Sequence, residues 1–143
     1  MFNALSNGFD KPLTDECSEL FKQIDEKHYY NLKGNFDNLL NGKPEWLEQN
    51  FRINTTSLLY IALEVVPDML EAKKGVIIVT GNTAAKRGVA ETPYFAPTKA
   101  AQRILAQSMA RDFGPKGIHV AYVMVDASIN TPWTRNRIER QKN

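Results

Sequence analysis

The chain has 143 residues, of which 43% are hydrophobic and 24% are charged, and these proportions are ordinary for one folded domain. Lys and Arg number 18 and Asp and Glu 16, so the formal charge of +2 gives no electrostatic reason to expect a nucleic acid or an anionic membrane as partner. The single cysteine, Cys17, excludes an intrachain disulfide and a zinc site built from cysteines.

The N-terminal residues show no basic stretch followed by an apolar core, so we expect no signal peptide. Apolar runs such as Leu58–Ala62 are far shorter than the about 20 residues that a membrane helix needs. These features predict a soluble, cytoplasmic protein with no membrane partner.

The first third of the chain has weaker patterns than the rest. Residues 1–11 are predicted to form a flexible arm. From Thr14 the apolar spacing of Cys17, Leu20, Phe21 and Ile24 predicts a short amphipathic helix. The segment His28–Leu32 is predicted to be a short strand.

Pro44 opens a helix that we expect to end at Lys74, because proline favours the first helical position and Gly75 follows. Pro67 is expected to kink its last turns. Its apolar stripe also contains a polar residue, Asn54, which needs a hydrogen-bond partner or a function. The stripe consists of Leu47, Phe51, Leu58, Ala62, Val65 and Met69.

The strongest pattern is a strand, a helix and a second strand. Val76–Thr80 is a β-branched run, Ala96–Phe113 has helical periodicity with Ala100, Ile104, Ser108, Leu105 and Met109 on one side, and Ile118–Val125 is apolar. This order predicts a βαβ unit. We therefore expect an α/β fold, a partial Rossmann-like parallel sheet of about three strands with helices on both faces. Residues 12–133 form this domain and residues 134–143 a solvated basic tail.

Three segments lie where a ligand site is expected, outside the carboxyl ends of parallel strands: Gly81–Phe95, the start of the following helix with Lys99, and Asp126–Trp133. The chain also contains the blocks Phe51-Arg52-Ile53-Asn54, Val76-Ile77-Ile78-Val79-Thr80-Gly81-Asn82-Thr83-Ala84, Tyr94-Phe95-Ala96-Pro97-Thr98-Lys99-Ala100-Ala101 and Gly114-Pro115-Lys116-Gly117-Ile118-His119-Val120. In order and spacing these blocks resemble the short-chain dehydrogenase/reductase family, over roughly residues 12–133. The resemblance implies strands four to six of that fold with their helices.

The family's catalytic set is a Ser, an Asn and a Tyr four residues before a Lys, and the resemblance implies how this chain fills those positions. Lys99 matches the Lys and Asn54 matches the Asn, whereas Phe95 stands at the Tyr position and Asn82 at the Ser position. Phe95 has no proton to give to a substrate oxygen. Tyr94, one residue away, is an alternative proton donor.

The resemblance also implies NAD or NADP as cofactor, with Asn31, Lys99 and Thr131 as contacts. However, no G-x-G-x-x-G or related glycine cluster occurs, and the family's Pro-Gly turn reads Asp126-Ala127. We therefore expect that this chain does not bind the dinucleotide by itself. No His lies at metal-ligand spacing, so no metal site is expected.

Each candidate residue also has a structural interpretation. Asn54 can brace backbone groups, Asn82 suits a turn that leaves a strand, and Lys99 can be a surface residue of an Ala-rich helix.

Three functions compete. The first is an oxidoreductase of the short-chain dehydrogenase family, nominally NAD(P)-dependent, truncated and inactive alone. The second is a non-catalytic, self-associating remnant or partner of a full-length relative. The third is a small stand-alone nucleotide binder, but the sequence lacks the phosphate-binding loop that this function needs.

By resemblance we expect a homo-oligomer through helices 44–74 and 96–113, with Tyr60, Ile61, Ala101 and Leu105 facing outwards.

Overall fold

The fold is described by a computed structural model over part of the chain. The described residues are 2–5, 38–127, 129–132, 134–135 and 139. The predicted helix from Thr14, the predicted strand His28–Leu32 and most of the basic tail lie outside them.

A nearly continuous helical run occupies residues 44–71. It consists of α1 (Pro44–Phe51), a π-helical turn (Arg52–Thr56) and α2 (Ser57–Glu71), with Pro67 inside α2. The predicted helix is confirmed, although it ends at Glu71 and not at Lys74.

The end of α2 has a clear local cause. Lys73 adopts a left-handed conformation with φ of 50°, and the Lys74 amide donates to the Met69 carbonyl oxygen at 3.1 Å. The Lys73 amide donates to the Leu70 carbonyl oxygen at 3.1 Å. This pair of bonds is the Schellman arrangement, which satisfies carbonyl groups that the last helical turn leaves free. The chain then enters a strand.

The predicted βαβ unit is confirmed. Strand β2 (Gly75–Asn82) and strand β3 (Ile118–Val125) pair in parallel, from Gly75 opposite Ile118 to Asn82 opposite Val125. Helix α3 (Ala96–Phe113) connects them and has the predicted bounds. The α/β, partial Rossmann-like fold class is therefore confirmed, with β2 extending two residues beyond the predicted end.

The third described strand comes from the N-terminus. Strand β1 (Phe2–Leu5) pairs antiparallel with β2, and the sheet order is β1-β2-β3. These four residues therefore form a strand within the segment for which the sequence predicts an arm. Pairing satisfies backbone groups along the second edge of β2, and a segment this short carries too little apolar periodicity to reveal it.

The core lies on one face of the sheet, where α2 and α3 pack side by side. Burial alternates along β2, with Ile77 and Val79 buried on this face and Ile78 half-buried on the other. On the other face Val123 is 48% exposed, and no helix among the described residues covers it. Helices on both faces thus stay a prediction. The core cluster consists of Leu58, Ala62, Val66, Met69, Ile77, Val79, Ala106, Met109 and Ile118.

The buried side of α3 differs in part from the predicted one, although Met109 is buried and Leu105 packs against the core. Ile104 is 49% exposed and Ser108 is exposed, whereas Thr98, Lys99 and Gln102 are buried. The apolar pattern of the sequence does not predict this buried side, because the first half of α3 buries polar residues. Hydrogen bonds satisfy those polar side chains.

The turn into β3 depends on Gly117. Its φ is +90°, and a Cβ built there would lie 2.3 Å from the Lys73 carbonyl oxygen. Gly114, three residues earlier, has φ of −54° and open space around its Cβ position. Only glycine fits the later position without strain.

We predict that Gly117→Ala lowers the free energy of unfolding by about 1–3 kcal/mol, because it adds backbone strain and a clash with the Lys73 carbonyl. Gly114→Ala is the matched control and should be neutral or slightly stabilising. Urea unfolding of both variants measures the difference. Equal stabilities of the two variants would contradict the described turn.

Candidate functional site

The candidate site lies where β2 ends and α3 begins. Asn82 is the last residue of β2, and Lys99 lies in the first turn of α3. The Lys99 ammonium donates to the Thr80 carbonyl oxygen at 3.2 Å, so the lysine reaches back to the strand end. The parallel topology therefore brings these two predicted site residues to one edge of the sheet.

Lys99 is a buried lysine. It is 6% exposed, and its ammonium also donates to the Gln102 side-chain oxygen Oε1. The interpretation as a surface residue is therefore wrong. Among the described residues no carboxylate forms an ion pair with it, which is unusual because buried charges are normally paired.

Burial has an electrostatic consequence for Lys99. Removal of the ammonium from water disfavours its charged form and lowers the pKa of Lys99 from 10.5 to about 8. A lysine with such a pKa exchanges its proton close to neutral pH.

Gln102 links Lys99 to Asn54. Its side-chain nitrogen Nε2 donates to the Asn54 carbonyl oxygen while its oxygen accepts from Lys99. Gln102 is 2% exposed, and both ends of its amide are used, as a buried amide requires. The three residues form one buried chain of hydrogen bonds across α3 and the π-helical turn.

The π-helical turn positions Asn54. The Asn54 side-chain nitrogen Nδ2 donates to the Thr98 hydroxyl oxygen at 3.0 Å, and the Thr55 hydroxyl donates to the Thr98 carbonyl oxygen at 2.8 Å. A π-helical turn alters the usual ladder of backbone bonds, which fits an Asn54 carbonyl that accepts from Gln102. The Asn54 side chain thus joins the π-helical turn to α3 through the Thr98 hydroxyl, whereas its structural interpretation expects contacts with backbone groups.

Phe95 and Tyr94 have structural contacts. The Phe95 carbonyl oxygen accepts from the Thr98 hydroxyl at 2.8 Å at the start of α3. Tyr94 is buried, its hydroxyl donates to the Leu39 carbonyl oxygen, and its ring meets the Trp46 ring edge-on at 5.8 Å. The phenol of Tyr94 is thus engaged by the segment before α1. Its role as an alternative proton donor stays a prediction.

Asn82 has a buried side-chain acceptor at the end of β2. Its side-chain oxygen Oδ1 is buried and has no hydrogen-bond partner among the described residues. Asn82 precedes a short 3₁₀ turn at Thr83–Ala85, but its side chain does not cap that turn. Its position at the end of β2 and before this turn agrees with the turn interpretation, and its role toward a ligand stays a prediction.

The implied dinucleotide fits these residues poorly. The Lys99 ammonium is held by Thr80 and Gln102, and the Thr131 hydroxyl is bonded to the Thr134 hydroxyl at 2.8 Å and to its amide at 3.2 Å. Asn31 lies outside the described residues. No two of the 8 glycines in the sequence are separated by a single residue, so a glycine-rich phosphate loop is missing. The Cβ space at Gly81 is filled by the Tyr122 ring.

Two residues of the site were missed by sequence reasoning. Gln102 lies three residues after Lys99, on the same side of α3, and this spacing is a usable signal. Tyr122 lies in an apolar strand, where nothing in the sequence indicates that its hydroxyl reaches Gly81.

Among the described residues no cluster of His, Cys, Asp and Glu can hold a metal ion. The helices of this described part all lack the length or the apolar character to cross a membrane.

Comparison with known families gives a match along most of the chain. The family model for short chain dehydrogenases matches residues 14–142. Versicolorin reductase 1 of Aspergillus parasiticus is 32% identical over 85 residues, 59% of this chain and 32% of that protein. The 2-keto-3-deoxy-L-fuconate dehydrogenase of Xanthomonas campestris is 30% identical over 98 residues, 68% of this chain and 32% of that protein. The matched regions thus span about a third of each relative.

Solved structures agree on the fold. A short-chain dehydrogenase from Rhodopseudomonas palustris is 28% identical with a TM-score of 0.60, covering 75% of this chain and 49% of that one. An NADPH-bound short chain oxidoreductase from Pseudomonas aeruginosa, described as containing an atypical catalytic center, is 17% identical with a TM-score of 0.68, covering 76% of this chain and 42% of that one. A gluconate 5-dehydrogenase from Burkholderia cenocepacia, in complex with NADP and tartrate, is 21% identical with a TM-score of 0.67, covering 73% of this chain and 40% of that one.

The buried position of Lys99 predicts a pH-dependent stability. The unfolded chain binds this proton up to pH 10.5 and the folded chain only up to about pH 8, so the free energy of unfolding should rise with pH in that window. Relative to Lys99→Met, which has no such proton, the native chain should gain about 3 kcal/mol between pH 7 and pH 10.5.

Urea unfolding at several pH values measures this gain. Lys116→Met is the matched control, because Lys116 is an exposed lysine that pairs with Asp112 at the surface. Equal pH profiles for Lys99→Met and the native chain would contradict the burial of a charged Lys99.

Proposed function

Because the chain belongs to the short-chain dehydrogenase family, we propose that it carries the substrate side of a carbonyl–alcohol oxidoreductase site and is inactive alone. The observation that carries the proposal is the buried chain of hydrogen bonds from Lys99 through Gln102 to Asn54. It holds the two residues that match the family's catalytic Lys and Asn at one strand end.

The reaction class follows from these residues and their neighbour Asn82. A lysine with a pKa of about 8 can hold or release a proton near neutral pH, and the Asn82 amide can bind a polarised oxygen. Ketone and secondary alcohol groups are ligands of that kind. The proposed substrate is therefore a small molecule with such a group.

Inactivity of the isolated chain is proposed from Phe95 and from the missing phosphate loop. Phe95 stands where the family pattern has its proton-donating tyrosine, and a benzyl group cannot transfer a proton. NAD or NADP is the cofactor class by family membership, and two of the similar structures are described with NADP or NADPH. The phosphates of that cofactor would need residues other than the described ones.

The alternative function is that of a non-catalytic, self-associating partner of a full-length relative, and one surface feature favours it. Leu63 is 65% exposed on α2, beside the partly exposed Leu59 and Tyr60, and Ile104 is exposed on α3. Apolar residues grouped on adjacent helices are typical of an interface.

These exposed apolar residues differ from the outward-facing residues that the resemblance predicts. Ile61 is buried, and Leu105 packs against the core. Ala101 is half-buried and only Tyr60 is exposed as expected. We propose that this surface joins two copies of the chain.

We predict that the isolated chain binds neither NAD nor NADP and reduces no carbonyl above background. The missing phenol alone should cost about 10²–10⁴-fold in rate. The double variant Phe95→Tyr, Asn82→Ser should remain inactive as well, because it adds no phosphate loop. Calorimetry with both cofactors and a ketone-reduction assay measure this. Micromolar binding of either cofactor would contradict the proposal.

We predict a dimer or larger assembly in solution. Leu63→Glu places a charge in the apolar surface and should convert the assembly to a 16.2 kDa monomer. Leu40→Glu is the matched control, because Leu40 is 93% exposed and lies outside α1, α2 and α3. Light scattering of all three proteins distinguishes the outcomes. A native chain that is already monomeric at micromolar concentration would contradict self-association.

A further inference from the structure

Two uncharged acceptors hold the Lys99 nitrogen at the end of β2. The Thr80 carbonyl oxygen accepts from it at 3.2 Å, and the Gln102 side-chain oxygen Oε1 accepts from it on the side of α3. Lys99 and Gln102 are both buried, so water competes little for these bonds. One acceptor belongs to the backbone and the other to a side chain, which makes Gln102 the part of this arrangement that a substitution can change.

The second hydrogen bond of the Gln102 amide fixes its orientation. A carbonyl oxygen can only accept, so the Asn54 carbonyl requires the amide nitrogen Nε2, which donates to it. The amide oxygen must then point the opposite way, toward Lys99. A 180° rotation of the amide would place its NH₂ group against the ammonium and its oxygen against the Asn54 carbonyl. Gln102 therefore offers only an acceptor to Lys99.

An uncharged acceptor holds the lysine without fixing its charge. An ammonium group donates to both carbonyl oxygens and has a third N–H left, whereas a neutral amine donates to both and keeps a lone pair. The same two contacts thus suit both protonation states of Lys99. A carboxylate in place of the Gln102 amide would instead favour the charged form strongly.

The other charged groups near this edge of the sheet do not take that role. Within the described part of the chain, burial is the cause of the lowered pKa of Lys99, and no charged group contributes to it. Arg103 donates to a backbone carbonyl of the 3₁₀ turn and acts on Tyr122 of β3. Arg52 of the π-helical turn and Asp126 beyond β3 are exposed. The contacts of Lys99 with its two acceptors are therefore free of a fixed countercharge.

We propose that Gln102 is a positioning residue of the site, which holds the Lys99 nitrogen at the end of β2 and leaves it able to gain and lose a proton. This proposal rests on the proposed function only for the use that a substrate makes of that proton. Proton binding by Lys99 requires neither substrate nor cofactor. A failed test of Gln102 and a failed test of oxidoreductase activity are therefore distinguishable.

The first test uses the native chain with ¹³C-labelled lysine and glutamine, followed by NMR through a pH titration. The Cε resonance of Lys99, assigned by its loss in Lys99→Met, reports when the lysine loses its proton. The Cδ resonance of Gln102 should shift with the same midpoint, because its oxygen accepts from that group. Gln107, an exposed glutamine of α3, is the matched control and should not follow this midpoint. A Gln102 resonance that does not follow Lys99 would overturn the proposal.

The second test changes the amide itself. Gln102→Glu replaces it by a carboxylate of the same size and should raise the proton affinity of Lys99 at least about 10-fold, because an opposite charge favours the ammonium. Gln102→Met removes the acceptor at similar length and should lower that affinity about 5-fold, because hydrogen bonds from charged groups are stronger than those from neutral ones. Gln107→Glu and Gln107→Met are the matched controls and should leave the Lys99 titration unchanged.

Opposite shifts of the Lys99 titration in Gln102→Glu and Gln102→Met support the positioning role. A glutamine with only a structural role would leave the titration in place, or would move it in the same direction in both variants through a change in burial. Either result would overturn the proposal. If one of the variants does not fold, the Gln102 resonance of the native chain decides.

Discussion

The burial of Lys99, with which no described carboxylate forms an ion pair, constrains the described site more than any other interaction. Transfer of an ammonium group from water to a protein interior is costly unless the group is hydrogen-bonded, and Lys99 meets that requirement with Thr80 and Gln102. These bonds tie α3 to the end of β2. Through Gln102 they also tie α3 to the π-helical turn at Asn54. The positions of the candidate residues at this edge of the sheet therefore depend on the buried ammonium group of Lys99. Packing of the apolar core alone does not explain them.

Much of the fold could be predicted from the sequence because its main elements carry strong patterns. The β-branched and apolar runs of β2 and β3 and the helical period between them indicate a βαβ unit, and α3 has the predicted bounds. Strand β1 was missed because four residues are too few for a periodic signal, and its pairing is decided by the free edge of β2. The π-helical turn is likewise a tertiary effect, since Arg52–Thr56 continues the ordinary helical periodicity.

The site could be predicted only in part. The resemblance located Asn54, Asn82 and Lys99, and the parallel topology explains why Lys99 reaches the strand end that Asn82 closes. The contacts that decide their chemistry depend on side-chain directions, which spacing does not reveal. The Gln102 bridge and the Tyr122 hydroxyl beside Gly81 are two examples.

The central claim is that Gln102 couples Lys99 to the turn that holds Asn54. A double-mutant cycle with Lys99→Met and Gln102→Leu, read as free energies of unfolding at pH 7, tests it most directly. If the bridge exists, the two changes should be non-additive by about 1–3 kcal/mol, because either change alone leaves a buried polar group unsatisfied. Additivity within about 0.5 kcal/mol would contradict the account, because independent residues behave in that way.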